Sequence, residues 1–434
     1  MRSKDVLALI KKYSFFEEND LNKYELDRDE EVTSIEFSAE AGRSHECCIN
    51  MDGGSTIKIY KSTGLSKFDK LILCNIVSKI NNLITIPELD IRQIDSILKE
   101  EVLKNIIEHL NIPCKDKNVV NFLYDHIKEM ECWASQTYEN MKICFGIGIN
   151  CRITSDGPKL SEFYQDDMLK VLTSGITTLI ICDKYGNINS FLTDTGNRCN
   201  DATEAESLCA FNWIQSWSSE KIAIILTSRS DILIFSSGKF EFVQRRSKWH
   251  EINLDGLTHW MNENRGYDPS LKKAIAETCL DVSFRHTGAC LGIIDEINLE
   301  HLVYDEDIIV KSRKPRIEFF KKIIGNKKFQ ELPREIRQEL AAIDGALVLK
   351  KDGTILSIGA ILKITHLPQD NRTTGGRSVA AQQLACYGFG IKISADGSIT
   401  AWRNKKIPLA GCPYTKESPA CKTTCNHEKY FELF

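Results

Sequence analysis

The sequence has no long hydrophobic run. Among its 434 residues, 42% are apolar, but none of them forms the ~20 consecutive apolar residues that a membrane-spanning helix needs. The apolar segment after Met1 is too short and too interrupted for a signal peptide. We therefore expect a cytoplasmic protein that does not contact a membrane.

The sequence also lacks a basic excess. Its formal net charge is -4, which argues against nucleic acid as a partner, because binding a polyanion requires clustered positive charge. The basic segment from Lys311 to Lys328 is a local exception, with eight basic residues and one acid. It could hold phosphates or form a solvated helix face, and we favour the solvated face.

Sixteen cysteines are dispersed along the chain without a secretion signal, which favours reduced thiols, most of them packed in the core. Near the end, Cys412, Cys421, Cys425 and His427 fall within sixteen residues. Four such side chains could bind zinc, although their spacing matches no common zinc-finger pattern.

Hydrophobic periodicity and the alternation of strands and helices predict an α/β fold. We expect a smaller N-terminal accessory α/β domain over residues 1–150, a second α/β domain over 160–405 and a Cys-rich tail over 406–434. No internal repeat is evident. The periodicity predicts a small meander over 31–61, helices over 89–110, 118–133, 161–173 and 269–282, and strands over 141–149, 177–182, 221–227 and 289–294. It also predicts hairpins at Ser236–Lys239, at 346–358 and around Ser394–Gly397.

Two short motifs carry the candidate chemistry. Asp344-Gly345-Ala346 begins an apolar strand, where a carboxylate can project toward a ligand and bind a divalent cation; alternatively, Asp-Gly only forms a turn. Gly375-Gly376-Arg377-Ser378 begins a helix, whose free N–H groups could hold a phosphate beside the guanidinium. Alternatively, this segment is a glycine-containing loop before an amphipathic helix.

The order and spacing of these motifs over roughly residues 165–403 resemble the diadenylate cyclase domain of DisA-type proteins. That family carries Asp-Gly-Ala and then Gly-Thr-Arg-His-Arg-Ala-Ala. The segment Arg285–Ile294 resembles the family's strand with a Gly-Ala pair before apolar residues. The segment Lys239–Asp255 is similar to a hairpin ending in tryptophan in the sensor-type DACNV offshoots. Arg245, Arg246 and Trp249 in this segment could contact a base or a phosphate. We favour the alternative, in which the tryptophan packs on the core and the two arginines are solvated.

The resemblance implies that residues 160–405 form a nucleotide-binding domain with a mixed sheet and helices on both faces. It also implies that Asp344 holds a catalytic Mg or Mn ion, that Gly345 and Ala346 line the adenine side, and that Arg377 binds phosphate. The chain departs from the family at Gly376, Ser378 and Val379, which stand in place of threonine, histidine and a second arginine. Ala395 and Asp396 replace the family's acidic pair. Losing an arginine and a carboxylate should lower the rate of phosphoryl transfer about a thousandfold or more.

We therefore interpret the protein as a nucleotide-binding sensor for a purine nucleotide, ATP or a cyclic dinucleotide, which acts on its N-terminal region or on an effector protein. One alternative is an active diadenylate cyclase that forms a homodimer or other oligomer and converts two ATP into cyclic di-AMP and pyrophosphate. A second alternative is a scaffold or interaction protein that binds no small molecule.

Overall fold

The computed structural model describes residues 2–13, 32–38, 46–52, 56–60, 65–86, 89–112, 116–194, 211–252, 267–364, 375–404 and 427–433. The fold is mixed α/β, as the periodicity predicted. The chain divides into two compact units, the first containing the described residues up to 252 and the second those from 267 onward. No helix among the described residues combines the length and hydrophobicity needed to cross a membrane.

The first unit contains five α-helices and twelve strands among its described residues. The helices are α1 (Ser3–Tyr13), α2 (Lys67–Ile84), α3 (Ile91–His109), α4 (Lys117–Trp133) and α5 (Asn212–Trp217). The strands are β1 (Ile35–Ser38), β2 (Glu46–Met51), β3 (Thr56–Tyr60), β4 (Thr137–Tyr138), β5 (Met141–Lys142), β6 (Phe145–Ile149), β7 (Thr178–Cys182), β8 (Ile188–Thr193), β9 (Ile222–Leu226), β10 (Ile232–Ser236), β11 (Lys239–Arg245) and β12 (Lys248–Glu251).

Three of these helices start at a side-chain cap. The side chains of Ser66, Asp90 and Asp116 each accept a hydrogen bond from a backbone N–H in the first turn of α2, α3 and α4. Such a cap satisfies N–H groups that have no partner inside the helix, and it contributes about 1 kcal/mol. The helices predicted over 89–110 and 118–133 are therefore confirmed to within about two residues.

Two larger sheets and a small hairpin organise the first unit. Strands β1, β2 and β3 form the predicted meander, and β4 pairs with β5. The seven-stranded sheet has the order β12-β11-β10-β9-β6-β7-β8, in which only β6 and β7 are parallel. Because β6 pairs with both β7 and β9, the boundary predicted near residue 150 falls inside this sheet, and the first unit extends to about residue 252.

The second unit contains one described sheet with helices packed against it. The helices are α6 (Pro269–Phe284), α7 (Leu299–Leu302), α8 (Pro315–Ile324), α9 (Arg334–Ala342) and α10 (Gly376–Cys386). The strands are β13 (Ala289–Ile294), β14 (Ala346–Leu349), β15 (Ile355–Ala360), β16 (Gly388–Ile393), β17 (Ile399–Asn404) and β18 (His427–Leu433), in the order β15-β14-β13-β16-β17-β18. Only β13 and β14 are parallel.

The three predicted hairpins are confirmed. Ser236 pairs with Lys239 across a two-residue turn, Leu349 pairs with Ile355, and Ile393 pairs with Ile399. The helix predicted over 161–173 is wrong, since this segment contains only two short 3₁₀ helices, Leu160–Phe163 and Leu169–Val171. Between them, the Asp166 carboxylate accepts a hydrogen bond from the Met168 backbone N–H at 2.9 Å, which stabilises a turn at the expense of a continuous helix.

Candidate functional site

The starts of β13 and β14 lie side by side in the second unit. The two strands are parallel, with Cys290 paired with Ala346. Gly288 directly precedes β13, and Asp344 lies two residues before β14. Both residues therefore lie at the same end of the parallel strand pair.

Arg377 reaches this same edge from the start of α10. A β-carbon added to Gly288 would lie 2.0 Å from Nη1 and 2.4 Å from Cζ of Arg377, so the guanidinium lies directly against the Gly288 backbone. Burial raises the pKa of the Cys290 thiol to about 12, and the positive charge of Arg377 opposes this rise. Arg377 is nonetheless exposed to solvent, so the guanidinium can contact a ligand.

Asp344 is exposed at the start of β14. Within the described part of the chain, neither Asp344 nor Arg377 takes part in an ion pair. A single exposed carboxylate suits Mg²⁺ or Mn²⁺ that arrives with a nucleotide, because such an ion keeps several waters and takes its remaining ligands from phosphate oxygens.

The two residues after Asp344 have structural roles. Gly345 has a φ of 102°, and a β-carbon there would lie 2.5 Å from the carbonyl carbon of Gly359 on the neighbouring strand. Ala346 is 1% exposed and belongs to the hydrophobic cluster between the sheet and α10. Close packing thus accounts for glycine and alanine at these positions, whether or not a ligand binds.

The helix start is open on its outer side. Gly375 is the N-cap of α10, no side chain caps the helix, and a β-carbon on Gly376 would meet no atom of the described residues within 4 Å. The N–H groups of Ser378 and Val379 bond to the Gly375 carbonyl, which leaves those of Gly376 and Arg377 at the free end of the helix. Ser378 is only 7% exposed, so its side chain faces the interior.

The basic segment 311–328 is largely neutralised by acids. Five of its eight basic residues form ion pairs: Lys311 with Glu300, Lys314 with Glu306, Arg316 with Asp307, Lys321 with Glu318, and Lys328 with Asp352. This pairing agrees with the solvated face that the sequence favoured over a phosphate site.

Two residues near the candidate site were missed by sequence reasoning. Gly288 has no side chain, and its role is to leave space for the Arg377 guanidinium against the backbone. Arg316 bonds to the buried Asp307 at 2.9 Å and to the Gly359 carbonyl at 3.4 Å, which brings a second guanidinium beside the backbone that packs on Gly345. The sequence signals for these residues were the Gly-Ala pair before β13 and the basic segment.

The predicted zinc ligands Cys412, Cys421 and Cys425 lie outside the described residues, and only the backbone of His427 is described. Among the described side chains, no group of three or more His, Cys, Asp or Glu residues could hold a metal ion.

The hairpin ending in Trp249 belongs to the first unit. Trp249 is 6% exposed and packs in the hydrophobic core, as predicted. The prediction of two solvated arginines is wrong for Arg245, which is 4% exposed and bonds to the equally buried Asp231 at 3.0 Å. Arg246 is exposed in the turn. The buried ion pair gives Arg245 a structural role.

Comparisons with known proteins give only distant similarity. No protein-family model matches the chain, and no curated protein matches it. Among solved structures, one similar chain is a hypothetical membrane-spanning protein from Bacillus cereus, with 19% identity and a TM-score of 0.26 over 33% of this chain and 65% of that one. Another is a double cysteine mutant of DacA from Staphylococcus aureus, with 17% identity and a TM-score of 0.22 over 30% of this chain and 78% of that one.

Proposed function

We propose that the second unit binds the phosphates of a purine nucleotide at the edge formed by Asp344 and Arg377, and that the protein is a nucleotide sensor. The observation that carries this proposal is the contact of the Arg377 guanidinium with the Gly288 backbone just before β13, at the end of the parallel strand pair where Asp344 leads into β14. An exposed positive side chain and an exposed negative one at this end of the strand pair support a site for phosphate and its cation.

Each group has a distinct task in the proposed site. The Arg377 guanidinium and the free N–H groups at the start of α10 bind phosphate oxygens through charge-assisted hydrogen bonds. Asp344 holds the Mg²⁺ or Mn²⁺ that accompanies the nucleotide, and the ion bridges carboxylate and phosphate. The order of the two motifs, which resembles that of diadenylate cyclases, supports a purine nucleotide over other phosphorylated ligands.

Binding is tested by calorimetric titration of the full chain with Mg·ATP and, separately, with cyclic di-AMP. Arg377→Ala should weaken binding about 10- to 150-fold, since a hydrogen bond to a charged group contributes ~1.5–3 kcal/mol. Arg313→Ala is the matched control, because Arg313 is an exposed arginine of the same unit, and it should bind as the unchanged protein does.

Two results would contradict the proposal. Equal affinity in Arg377→Ala and Arg313→Ala would exclude Arg377 from the site. Binding of neither nucleotide, together with no rise in melting temperature in their presence, would favour the non-binding scaffold, because a ligand of the native state must stabilise it. Cyclic di-AMP detected by mass spectrometry after incubation with ATP, and absent in Asp344→Asn, would instead identify a cyclase.

A further inference from the structure

The sheets of the two units have the same strand order. In the first unit the order is β8-β7-β6-β9-β10-β11, followed by the additional edge strand β12, and in the second it is β15-β14-β13-β16-β17-β18. In each sheet the central pair, β6–β7 or β13–β14, is parallel, and every other neighbouring pair is antiparallel. In both units a long helix, α4 or α6, precedes the central strand.

The first hairpin of each sheet has the same turn. Gly186 has a φ of 81° and donates its N–H to the Asp183 carbonyl at 3.1 Å; Gly353 has a φ of 89° and donates to the Lys350 carbonyl at 2.9 Å. Each residue of the second pair lies 167 positions after its counterpart (353 minus 186, 350 minus 183).

The turn after the fourth strand in chain order, between β9 and β10 or between β16 and β17, repeats with the same offset. The Thr227 N–H donates to the Asp231 carbonyl at 2.9 Å, and the Ser394 N–H donates to the Ser398 carbonyl at 2.8 Å. The residue before the end of each turn has a positive φ, which is 66° at Ser230 and 93° at Gly397. These residues are again separated by 167 positions (394 minus 227, 397 minus 230).

The helix that crosses each sheet occupies the same place. A β-carbon on Gly148 in β6 would lie 2.3 Å from the Trp217 ring at the end of α5, and one on Gly292 in β13 would lie 2.5 Å from the Leu384 side chain in α10. Trp217 and Leu384 are also 167 positions apart (384 minus 217). The constant offset therefore spans two turns, a helix and the connection between them.

From these matches we infer that the chain is a tandem duplication of one α/β module, and that only the second copy keeps the charges that bind phosphate. The repeat is not evident in the sequence, because only seven of sixty aligned positions are identical over 177–236 and 344–403. The repeat is preserved in backbone geometry, which tolerates extensive exchange of apolar residues.

The offset assigns a counterpart to each charged group of the proposed site. Thr177 occupies the position of Asp344, and Ala210, which lies outside the described residues, occupies the position of Arg377 in the sequence. The Thr177 hydroxyl hydrogen-bonds to that of Ser174 at 2.9 Å. The first copy thus carries neither the carboxylate nor the guanidinium, and the chain binds one nucleotide, at the second copy; this stoichiometry rests on the proposed function.

Two measurements on the full chain test the duplication and the stoichiometry separately. A crystal structure should allow residues 178–193 and 212–236 to be superposed on 345–360 and 379–403 with the constant offset and the same strand order. A different strand order in the first sheet, or another register in β9–β10, would overturn the duplication whatever the ligand.

A titration with Mg·ATP should give one site per chain, whose affinity Arg377→Ala lowers about 10- to 150-fold and Thr177→Ala leaves unchanged. Two sites per chain, or weaker binding in Thr177→Ala at an unchanged melting temperature, would overturn the restriction of binding to the second copy. Absence of Mg·ATP binding would overturn the nucleotide part of the inference together with the proposed function, while the crystal structure would still decide the duplication.

Discussion

Gly288→Ala should displace the Arg377 guanidinium without unfolding the protein. The added β-carbon would lie 2.0 Å from Nη1 of Arg377, so the guanidinium must move by well over an ångström to reach an ordinary contact distance of about 3.5–4.0 Å. Arg377 is exposed, and its flexible side chain can turn into solvent in another staggered rotamer. Gly288 does not have a positive φ, and alanine there restricts the unfolded chain, which stabilises by ~0.4–1 kcal/mol.

The substitution therefore changes the free energy of unfolding little, whereas the charge-assisted contact of the guanidinium with phosphate is lost or weakened. We expect a melting temperature close to that of the unchanged protein and Mg·ATP affinity reduced by roughly 10-fold or more, since ~1.4 kcal/mol corresponds to tenfold. Calorimetric titration and thermal unfolding of Gly288→Ala and Arg377→Ala measure both quantities. Full affinity in Gly288→Ala alongside weak binding in Arg377→Ala would refute the position of the guanidinium.

Three further predictions concern stability and are measured by urea unfolding. Gly345→Ala should destabilise by ~3 kcal/mol or more, because the backbone has a φ of 102° and Gly359 leaves no space for a β-carbon; a cost below ~1 kcal/mol would contradict that packing. Arg245→Leu should cost ~3–5 kcal/mol by leaving the Asp231 carboxylate buried without its partner, and adding Asp231→Leu should recover part of this loss; a near-neutral single variant would argue against the buried pair. Burial lowers the pKa of His126 from its ordinary value of 6.5 to about 3. Between pH 6.5 and pH 3 the imidazole therefore binds a proton in the unfolded chain but not in the folded one, so stability is lost as the pH falls through that range. Relative to His126→Gln, the protein should lose about 2 kcal/mol between pH 7 and pH 5, and parallel pH profiles would show that His126 is protonated in the folded state.

Alternating hydrophobicity and turn residues were enough to predict most strands and all three hairpins, because each strand contains its own pattern of buried residues. The segment 161–173 failed since its apolar spacing suits a helix while the Asp166 side chain stabilises a turn. Which long charged side chains are buried, and with which partner, could not be predicted from the sequence. Arg245 and Arg246 are adjacent in sequence, but pairing with Asp231, fourteen residues away, buries only the first.

The candidate site divides into residues that the fold requires and residues that it does not. Gly345 and Ala346 are fixed by the backbone of Gly359 and by the hydrophobic cluster, so their presence in an Asp-Gly-Ala motif follows from packing alone. Sequence could locate this motif, but it could not separate these two roles.

Asp344 and Arg377 are different, because both are exposed and no packing requirement of the described residues accounts for their charges. The first copy offers an internal comparison. It keeps the glycine of the turn, Gly186 for Gly353, but has Thr177 where the second copy has Asp344. A fold with the same strand order thus forms without that carboxylate, and this comparison supports the proposed role of Asp344 in binding a ligand.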